Sequence, residues 1–168
     1  MIILSFMSKG LLVTFGVGIV VVIAIVAYVL QSSKGAHLVP TGSILKVRTQ
    51  KLDDADSALV VDLRLSNNAD FPMTIRSIDL ALEKKDGSSD AGNVIAASDL
   101  ANLFQYYPLL GDRFNEALKA RDHVPPHQSI DRMVAWQFTM PEADLQLRHK
   151  ITIRIEDVTG PVAELTAK

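Results

Sequence analysis

Hydrophobic and polar residues alternate with a period of two in three segments, 58–66, 132–140 and 149–157. That period is typical of half-buried β-strands, whose successive side chains point to opposite faces. Of these apolar residues Trp136 is the largest, so we expect it to be the largest single part of the core. The residues predicted to face the core are Leu59, Val61, Leu63, Leu65, Val134, Trp136, Phe138, Met140, Ile151, Ile153 and Ile155. Those predicted to face water in the first segment are Asp62, Arg64 and Ser66.

A fourth apolar segment, 71–83, changes phase partway along its length. A slip of one residue near Arg76 and Ser77 would keep all its apolar side chains on the core side, so we predict a β-bulge there. The two phases consist of Met73 and Ile75, and then of Ile78, Leu80 and Leu82.

The remaining short strands complete a mainly β fold. Segments 44–49, 93–96 and 162–165 have strand character, and turn signals occur at Asp86-Gly87 and at 157–160. Six or seven strands without helices at the spacing of βαβ units predict an antiparallel β-sandwich of immunoglobulin-like or fibronectin-like type, which we place at 44–168.

The segment 98–122 has helical instead of strand spacing and predicts a two-helix insert in the sandwich. Ser98 is a candidate N-cap for the first helix, and Pro108 would end it. Asp112 is a candidate cap for the second helix. The apolar residues at helical spacing are Leu100, Leu103, Phe104 and Tyr107 in the first helix and Phe114, Ala117 and Leu118 in the second.

Two interpretations of the insert stay open. Its apolar stripe covers an edge or an end of the sandwich, which would otherwise pair with strands of other chains. In the other interpretation, it presents an aromatic and leucine surface to a protein partner, because interfaces are enriched in aromatic residues. The partner-binding candidates are Tyr106, Tyr107, Leu109, Leu110 and Phe114.

The N-terminal region has no charged side chain over residues 10–30. A helix of that length spans the roughly 30 Å hydrocarbon core of a bilayer. We therefore predict a tail at 1–9, a transmembrane helix in contact with lipid at 10–30 and a linker at 31–43. The start of the chain resembles a signal anchor, with translation beginning at Met1 or Met7. This predicts a single-pass membrane protein whose C-terminal domain is periplasmic or extracellular.

Composition and motifs offer little for catalysis. The net charge of −2 does not favour a nucleic-acid partner, and the chain has no cysteine. Potential metal ligands occur in the loop segment at 122–131, where Pro125 and Pro126 argue against a helix that would bring the histidines together. The three acidic residues at 53–57 lack the spacing and the glycine of a calcium-binding loop, so a hairpin tip is expected there. We therefore expect a solvated loop, no metal, no cofactor and no enzyme. The ligand candidates considered are Asp122, His123, His127 and Asp131.

The run LVVDLRLSNNADFPMTIRSIDLALEKKDG resembles the signature half of late embryogenesis abundant type-2 domains, also called water-stress and hypersensitive-response domains. The shared features are a strand, an asparagine-containing turn, a proline and a second strand that ends in a glycine turn. Asn67-Asn68-Ala69-Asp70 stands where that family commonly has Asn-Pro-Asn. The layout is also similar to that of bacterial envelope proteins. The resemblance implies a β-sandwich without a catalytic site.

These observations predict a non-enzymatic, membrane-anchored β-sandwich that acts as a protein-interaction or assembly module of the cell envelope. The alternative is a stress-protective or small-ligand-binding domain, which would contain an apolar cavity within the sandwich. A third hypothesis is an enzyme that uses the His123 and His127 loop.

Overall fold

The structure is a computed structural model that describes residues 9–33 and 40–168. The chain divides into two compact units, Met1–His37 and Leu38–Lys168. In the first unit, helix α1 runs from Lys9 to Ser33. Of the predicted tail at 1–9, residues 1–8 lie outside the described residues, and of the predicted linker at 31–43, residues 34–39 do.

The predicted transmembrane helix is not supported. Among the described residues, no helix is long and apolar enough to cross a membrane. The transmembrane assignment at 10–30, the lipid contact, the signal anchor and the single-pass placement with an extracytoplasmic domain are therefore withdrawn.

The second unit is mainly β and contains two five-stranded sheets. Besides the strands it has helix α2 (Ala97–Tyr106), a 3₁₀ helix (Pro108–Leu110) and helix α3 (Glu142–Gln146). The strands are β1 (Thr41–Lys51), β2 (Ser57–Asn67), β3 (Met73–Glu83), β4 (Ser89–Asp90), β5 (Asn93–Val94), β6 (Glu116–Ala117), β7 (His123–Val124), β8 (Gln128–Phe138), β9 (Lys150–Asp157) and β10 (Val162–Ala167).

The first sheet has the strand order β1-β2-β8-β5, and β6 pairs with β8 in parallel. The second sheet has the order β10-β9-β3-β4, and β7 pairs with β3. All pairs other than β6 with β8 are antiparallel. The strands thus form the β-rich, two-layered fold that their alternation predicts.

The main core lies between the two sheets and confirms the predicted inward faces. Trp136 is completely buried and stands opposite Leu59 across the β2–β8 pair. The second sheet contributes Ile153 and Leu165, among others, to the same cluster. The bulge is also confirmed, because the β3–β9 register shifts between Ile75 and Ser77.

The predicted two-helix insert is wrong in its second half and in its N-cap. Helix α2 begins at Ala97 with Ala96 as its cap residue instead of Ser98. Where a second helix was predicted, the chain forms β6, and the Leu118 N–H donates a 2.8 Å hydrogen bond to the Met133 carbonyl oxygen. Pairing with β8 therefore overrides the helical spacing of Phe114, Ala117 and Leu118.

Two further elements differ from the prediction. Strand β1 begins at Thr41, within the predicted linker, and passes close to β2 at Gly42. A Cβ at Gly42 would overlap the Arg64 carbonyl oxygen and lie 2.9 Å from Leu165 Cδ2, so the close approach requires glycine. Helix α3 was not predicted, and it places Leu145 in the main core.

Candidate functional site

The insert covers the outer face of the first sheet. Strand β2 is buried on both faces along most of its length, unlike a half-buried strand. A second apolar cluster explains this burial, because side chains of the insert pack on β2 and β8 on the side away from the main core. Its buried members are Ala58, Val60, Met133 and Ala135 from the sheet and Leu100, Leu103, Leu110 and Ala117 from the insert.

A buried ion pair lies beneath the insert. Arg48 on β1 and Asp62 on β2 are joined by a 2.6 Å contact between Nη2 and Oδ2, and their side chains are only 7% and 4% exposed. The prediction that Asp62 faces water is therefore wrong. Asp62 does lie on the outer face, as its phase requires, but the insert removes that face from solvent.

The same two side chains bind the insert directly. Arg48 Nη1 donates hydrogen bonds of 2.9 Å to the carbonyl oxygens of Leu110 and Asp112. Asn115 Nδ2 donates a 2.9 Å hydrogen bond to Asp62 Oδ1. The segment 110–115 is thus tied to the sheet by charge-assisted hydrogen bonds, which are stronger than neutral ones. We call Arg48, Asp62 and Asn115 the clamp.

Aromatic side chains at the end of helix α2 also contact Arg48 and the main chain next to β1. The Phe104 ring centroid lies 5.0 Å from the guanidinium carbon of Arg48, within the range of a cation–π contact. Tyr107 donates its hydroxyl proton to the Leu52 carbonyl oxygen at 3.3 Å. The aromatic residues of the predicted stripe therefore hold the helix on the sheet.

The five predicted partner-binding residues separate into two groups. Leu110 is buried and Tyr107 is half-buried, and both belong to the cluster beneath the insert. Tyr106, Leu109 and Phe114 are 76%, 92% and 68% exposed. We call these three residues the insert patch. The Lys46 ammonium lies 5.9 Å from the Phe114 ring centroid and holds that ring above β1.

A groove of about 430 Å³ begins beside Tyr106. It lies along the junction between β5 and α2, and its wall has both apolar and polar side chains. Its lining includes Leu52, Val94, Ile95, Leu103, Asp99 and Gln137. One member of the insert patch therefore stands at the rim of a concave surface.

The polar residues at 122–131 bind separate partners. His123 Nδ1 is 2.8 Å from Thr74 Oγ1, and His127 Nε2 is 2.9 Å from Asp70 Oδ1. Arg64 donates two hydrogen bonds to Asp131, of 2.6 and 2.7 Å, and these lower the pKa of its carboxyl group. Within the described ranges, no three His, Cys, Asp or Glu side chains are grouped so that they could hold a metal ion.

The clamp was missed by the sequence analysis, although a signal for it exists. Residues 58–61, Ala-Leu-Val-Val, form a continuous apolar run, and 133–136, Met-Val-Ala-Trp, form a second. Continuous apolar runs are typical of strands that are covered on both faces. They indicate that the outer face of β2 is also buried, and hence that Asp62 requires a partner.

Comparisons with known proteins add little. No family model and no curated protein matches the sequence. A solved structure titled "X-ray structure of Northeast Structural Genomics Consortium target SoR45" is similar over 77% of this chain and 79% of its own, at 8% identity and a TM-score of 0.33. A similarity this distant says nothing about function.

Proposed function

We propose that this protein is a non-enzymatic protein-binding module and that it binds its partner through the insert patch. The observation that carries the proposal is that Tyr106, Leu109 and Phe114 are all exposed within one stretch of nine residues. This stretch overlaps the segment 110–115, which is hydrogen-bonded to the sheet. Large apolar side chains that remain exposed on a folded surface are typical of interaction sites, and Tyr is among the residues enriched there.

The rigidity of the segment supports this assignment. The carbonyl oxygens of Leu110 and Asp112 and the side chain of Asn115 are hydrogen-bonded to Arg48 and Asp62. Leu109 therefore lies next to this held stretch, and Phe114 lies within it. Side chains on an ordered backbone lose less conformational entropy on binding than side chains on a free loop. The clamp therefore prepares the patch for binding in addition to holding the fold together.

Tyr107 and Leu110 are not part of the proposed binding surface, because Leu110 is buried and Tyr107 is half-buried against the sheet. These two residues anchor the insert to the sheet, and changing them would disturb the second cluster and not only a contact with a partner. The three exposed residues belong to neither core cluster. They are thus the members of the predicted set whose loss would affect binding without unfolding the domain.

Affinity purification of the tagged full-length chain from its native cells tests the proposal. The Leu109→Asp, Phe114→Asp double variant is expected to lose a stoichiometric partner that the unchanged chain retains. Phe71→Asp, Leu147→Asp is the matched control, because both residues are also exposed apolar side chains but lie outside the insert.

Denaturant titration of both double variants is expected to give free energies of unfolding close to that of the unchanged chain, since surface substitutions change stability by about 0.5 kcal/mol or less. Loss of the partner from both double variants, retention by both, or recovery of the unchanged chain alone would each contradict the proposal.

A further inference from the structure

The edge of β3 has an open stretch of main chain, separate from the insert patch. At one end β7 pairs with Met73 and Thr74, and at the other end β4 pairs with Leu82 and Glu83. Between these contacts, residues 77–81 pair with β9 on one side only. The last main-chain contact before this open stretch is at Ile75. Its N–H donates to the Asp122 carbonyl oxygen, and its carbonyl oxygen accepts from the Arg121 N–H.

The direction of the main-chain groups in this stretch follows from its neighbours. The Glu83 carbonyl accepts a 2.8 Å hydrogen bond from the His149 N–H, so residue 83 faces the β9 side. Successive residues of a strand turn their main-chain groups to opposite sides. Residues 79 and 81 therefore face β9, whereas Ile78 and Leu80 direct an N–H and a carbonyl toward the open side. No described segment other than β9 pairs with them.

An apolar groove of about 290 Å³ adjoins this open edge. It lies between Ile78 and the facing segments of the first sheet, so a strand added to β3 would direct its inward side chains into it. Its lining is apolar except for Lys119 and includes Ile78, Val94, Ile95, Leu118 and Ala120. A volume at the low end for ligand sites suits one or two aliphatic side chains better than a large ligand.

Asp79 places a negative charge on the outer face of β3, next to the open edge. Its carboxylate accepts a 3.1 Å hydrogen bond from Ser77 Oγ but has no ion-pair partner among the described residues. Arg154, which stands opposite Asp79 on β9, is paired with Glu164 at 3.3 Å. A strand added at the open edge would therefore gain most from a basic residue opposite Asp79.

We propose that the open edge of β3 binds a short extended segment of a partner protein by β-strand addition. The segment has the pattern apolar–basic–apolar, with its basic residue opposite Asp79 and its apolar residues in the groove. Main-chain hydrogen bonds to Ile78 and Leu80 supply affinity, and the alternate side chains supply specificity. Because β7 and β4 close the two ends, the segment extends over about five residues, or about 16 Å.

A second copy of this chain fits the edge less well. A two-fold symmetric dimer would pair β3 with β3 in antiparallel fashion. The register that uses all five open positions places Asp79 opposite Asp79 of the other copy, and like charges directly opposite each other are destabilising. The charge on the edge thus favours a basic partner and opposes self-association.

Amide NMR spectra of the ¹⁵N-labelled full-length chain test this proposal with two capped peptides, Thr-Val-Lys-Val-Thr and Thr-Val-Glu-Val-Thr. The lysine peptide is expected to shift the amide signals of Ile78 and Leu80 and to bind about two- to five-fold more tightly than the glutamate peptide. In the Asp79→Lys variant this preference is expected to reverse. Unshifted amides at Ile78 and Leu80, or a preference that Asp79→Lys leaves unchanged, would overturn the proposal.

Two variants of Ile78 test the main-chain contact. Ile78→Pro removes an N–H that points away from β9, so it is expected to abolish peptide binding while the β3–β9 pairing remains. Ile78→Val keeps the N–H and is expected to bind within about two-fold of the unchanged chain. Equal binding by the proline and valine variants, with β3–β9 pairing intact in both, would contradict strand addition.

Two further observations separate this site from its alternatives. The Leu109→Asp, Phe114→Asp variant is expected to bind the lysine peptide normally, because the insert patch plays no part in this site. Protection of the Ile78 and Leu80 amides that increases with protein concentration in the absence of peptide would identify a second copy as the occupant and overturn the proposal.

Discussion

The outer faces of the two sheets differ although their strands have the same alternation. On the second sheet, polar residues of β9 and β10 such as Arg154 and Glu164 reach solvent and form exposed ion pairs. On the first sheet, the corresponding face of β2 carries Val60 and Asp62, which the insert buries. The same two-residue period thus gives a solvated face in one sheet and an interior face in the other.

This difference shows what the insert contributes. It converts one side of a two-layered fold into a three-layered one, with an apolar cluster and a buried ion pair between the added layer and the sheet. Burial of a charged pair is costly unless its hydrogen-bonding groups are satisfied. Arg48 Nη1 and Asp62 Oδ1 meet that condition by bonding to the insert, whereas Arg48 Nε has no hydrogen-bond partner among the described residues. The cover and the pair therefore depend on each other.

The largest expected effect comes from breaking the buried pair. Asp62→Ala leaves Arg48 buried without its carboxylate and is expected to lower the free energy of unfolding by about 3–5 kcal/mol. Glu164→Ala, which removes a carboxylate from the exposed pair with Arg154, is expected to cost about 0.2–1 kcal/mol. Urea titrations of the two variants check this difference, and equal losses would contradict the contrast between the two faces.

A slightly smaller effect is expected from the apolar contacts of the insert. Leu100 is buried on the sheet and Leu109 is exposed on the same insert, so the same substitution samples both environments. Leu100→Ala is expected to cost about 2–5 kcal/mol, whereas Leu109→Ala should change stability by about 0.5 kcal/mol or less. Thermal or chemical denaturation measures both values, and a costly Leu109→Ala would show that this residue packs within the domain.

The smallest effect is a pH dependence at an exposed pair of the first sheet. The Arg64 hydrogen bonds hold the pKa of the Asp131 carboxyl below its ordinary value of 3.8. The pair therefore contributes stability above that ordinary value, and the contribution is lost as the pH falls through the lower folded-state pKa. In Arg64→Gln the Asp131 pKa is expected to rise toward 3.8, which a carboxyl NMR titration detects. An unchanged pKa would show that Arg64 is not its cause.

The sequence predicts those parts of the fold that depend on local alternation. The inward faces of β2, β8 and β9 and the bulge at Arg76 follow from the two-residue period, because a one-residue error would expose every apolar side chain. Asp62 was assigned to water because alternation reports which face a residue occupies but not whether another segment covers that face. The apolar runs at 58–61 and 133–136 are the local signals of that cover.

Predictions about longer-range features were less accurate. Phe114, Ala117 and Leu118 have helical spacing, but pairing of β6 with β8 joins residues that are far apart in sequence, which spacing within a segment does not report. The apolar stretch at 10–30 predicted a membrane span that the structure does not support. Of the predicted interface, Tyr106, Leu109 and Phe114 are exposed, whereas Leu110 is buried in the cluster between the insert and the first sheet, a contact between segments far apart in sequence.

A double-mutant cycle on the clamp tests the central claim most directly, namely that Arg48 and Asp62 act together to hold the insert on the first sheet. Arg48→Met, Asp62→Leu and the double variant would be compared by denaturant titration. We expect the double variant to lose about 0.5–3 kcal/mol less than the sum of the two single losses, because each single variant leaves one buried charge unpaired. Losses that add to within about 0.5 kcal/mol would show that the two residues act independently and would contradict the account.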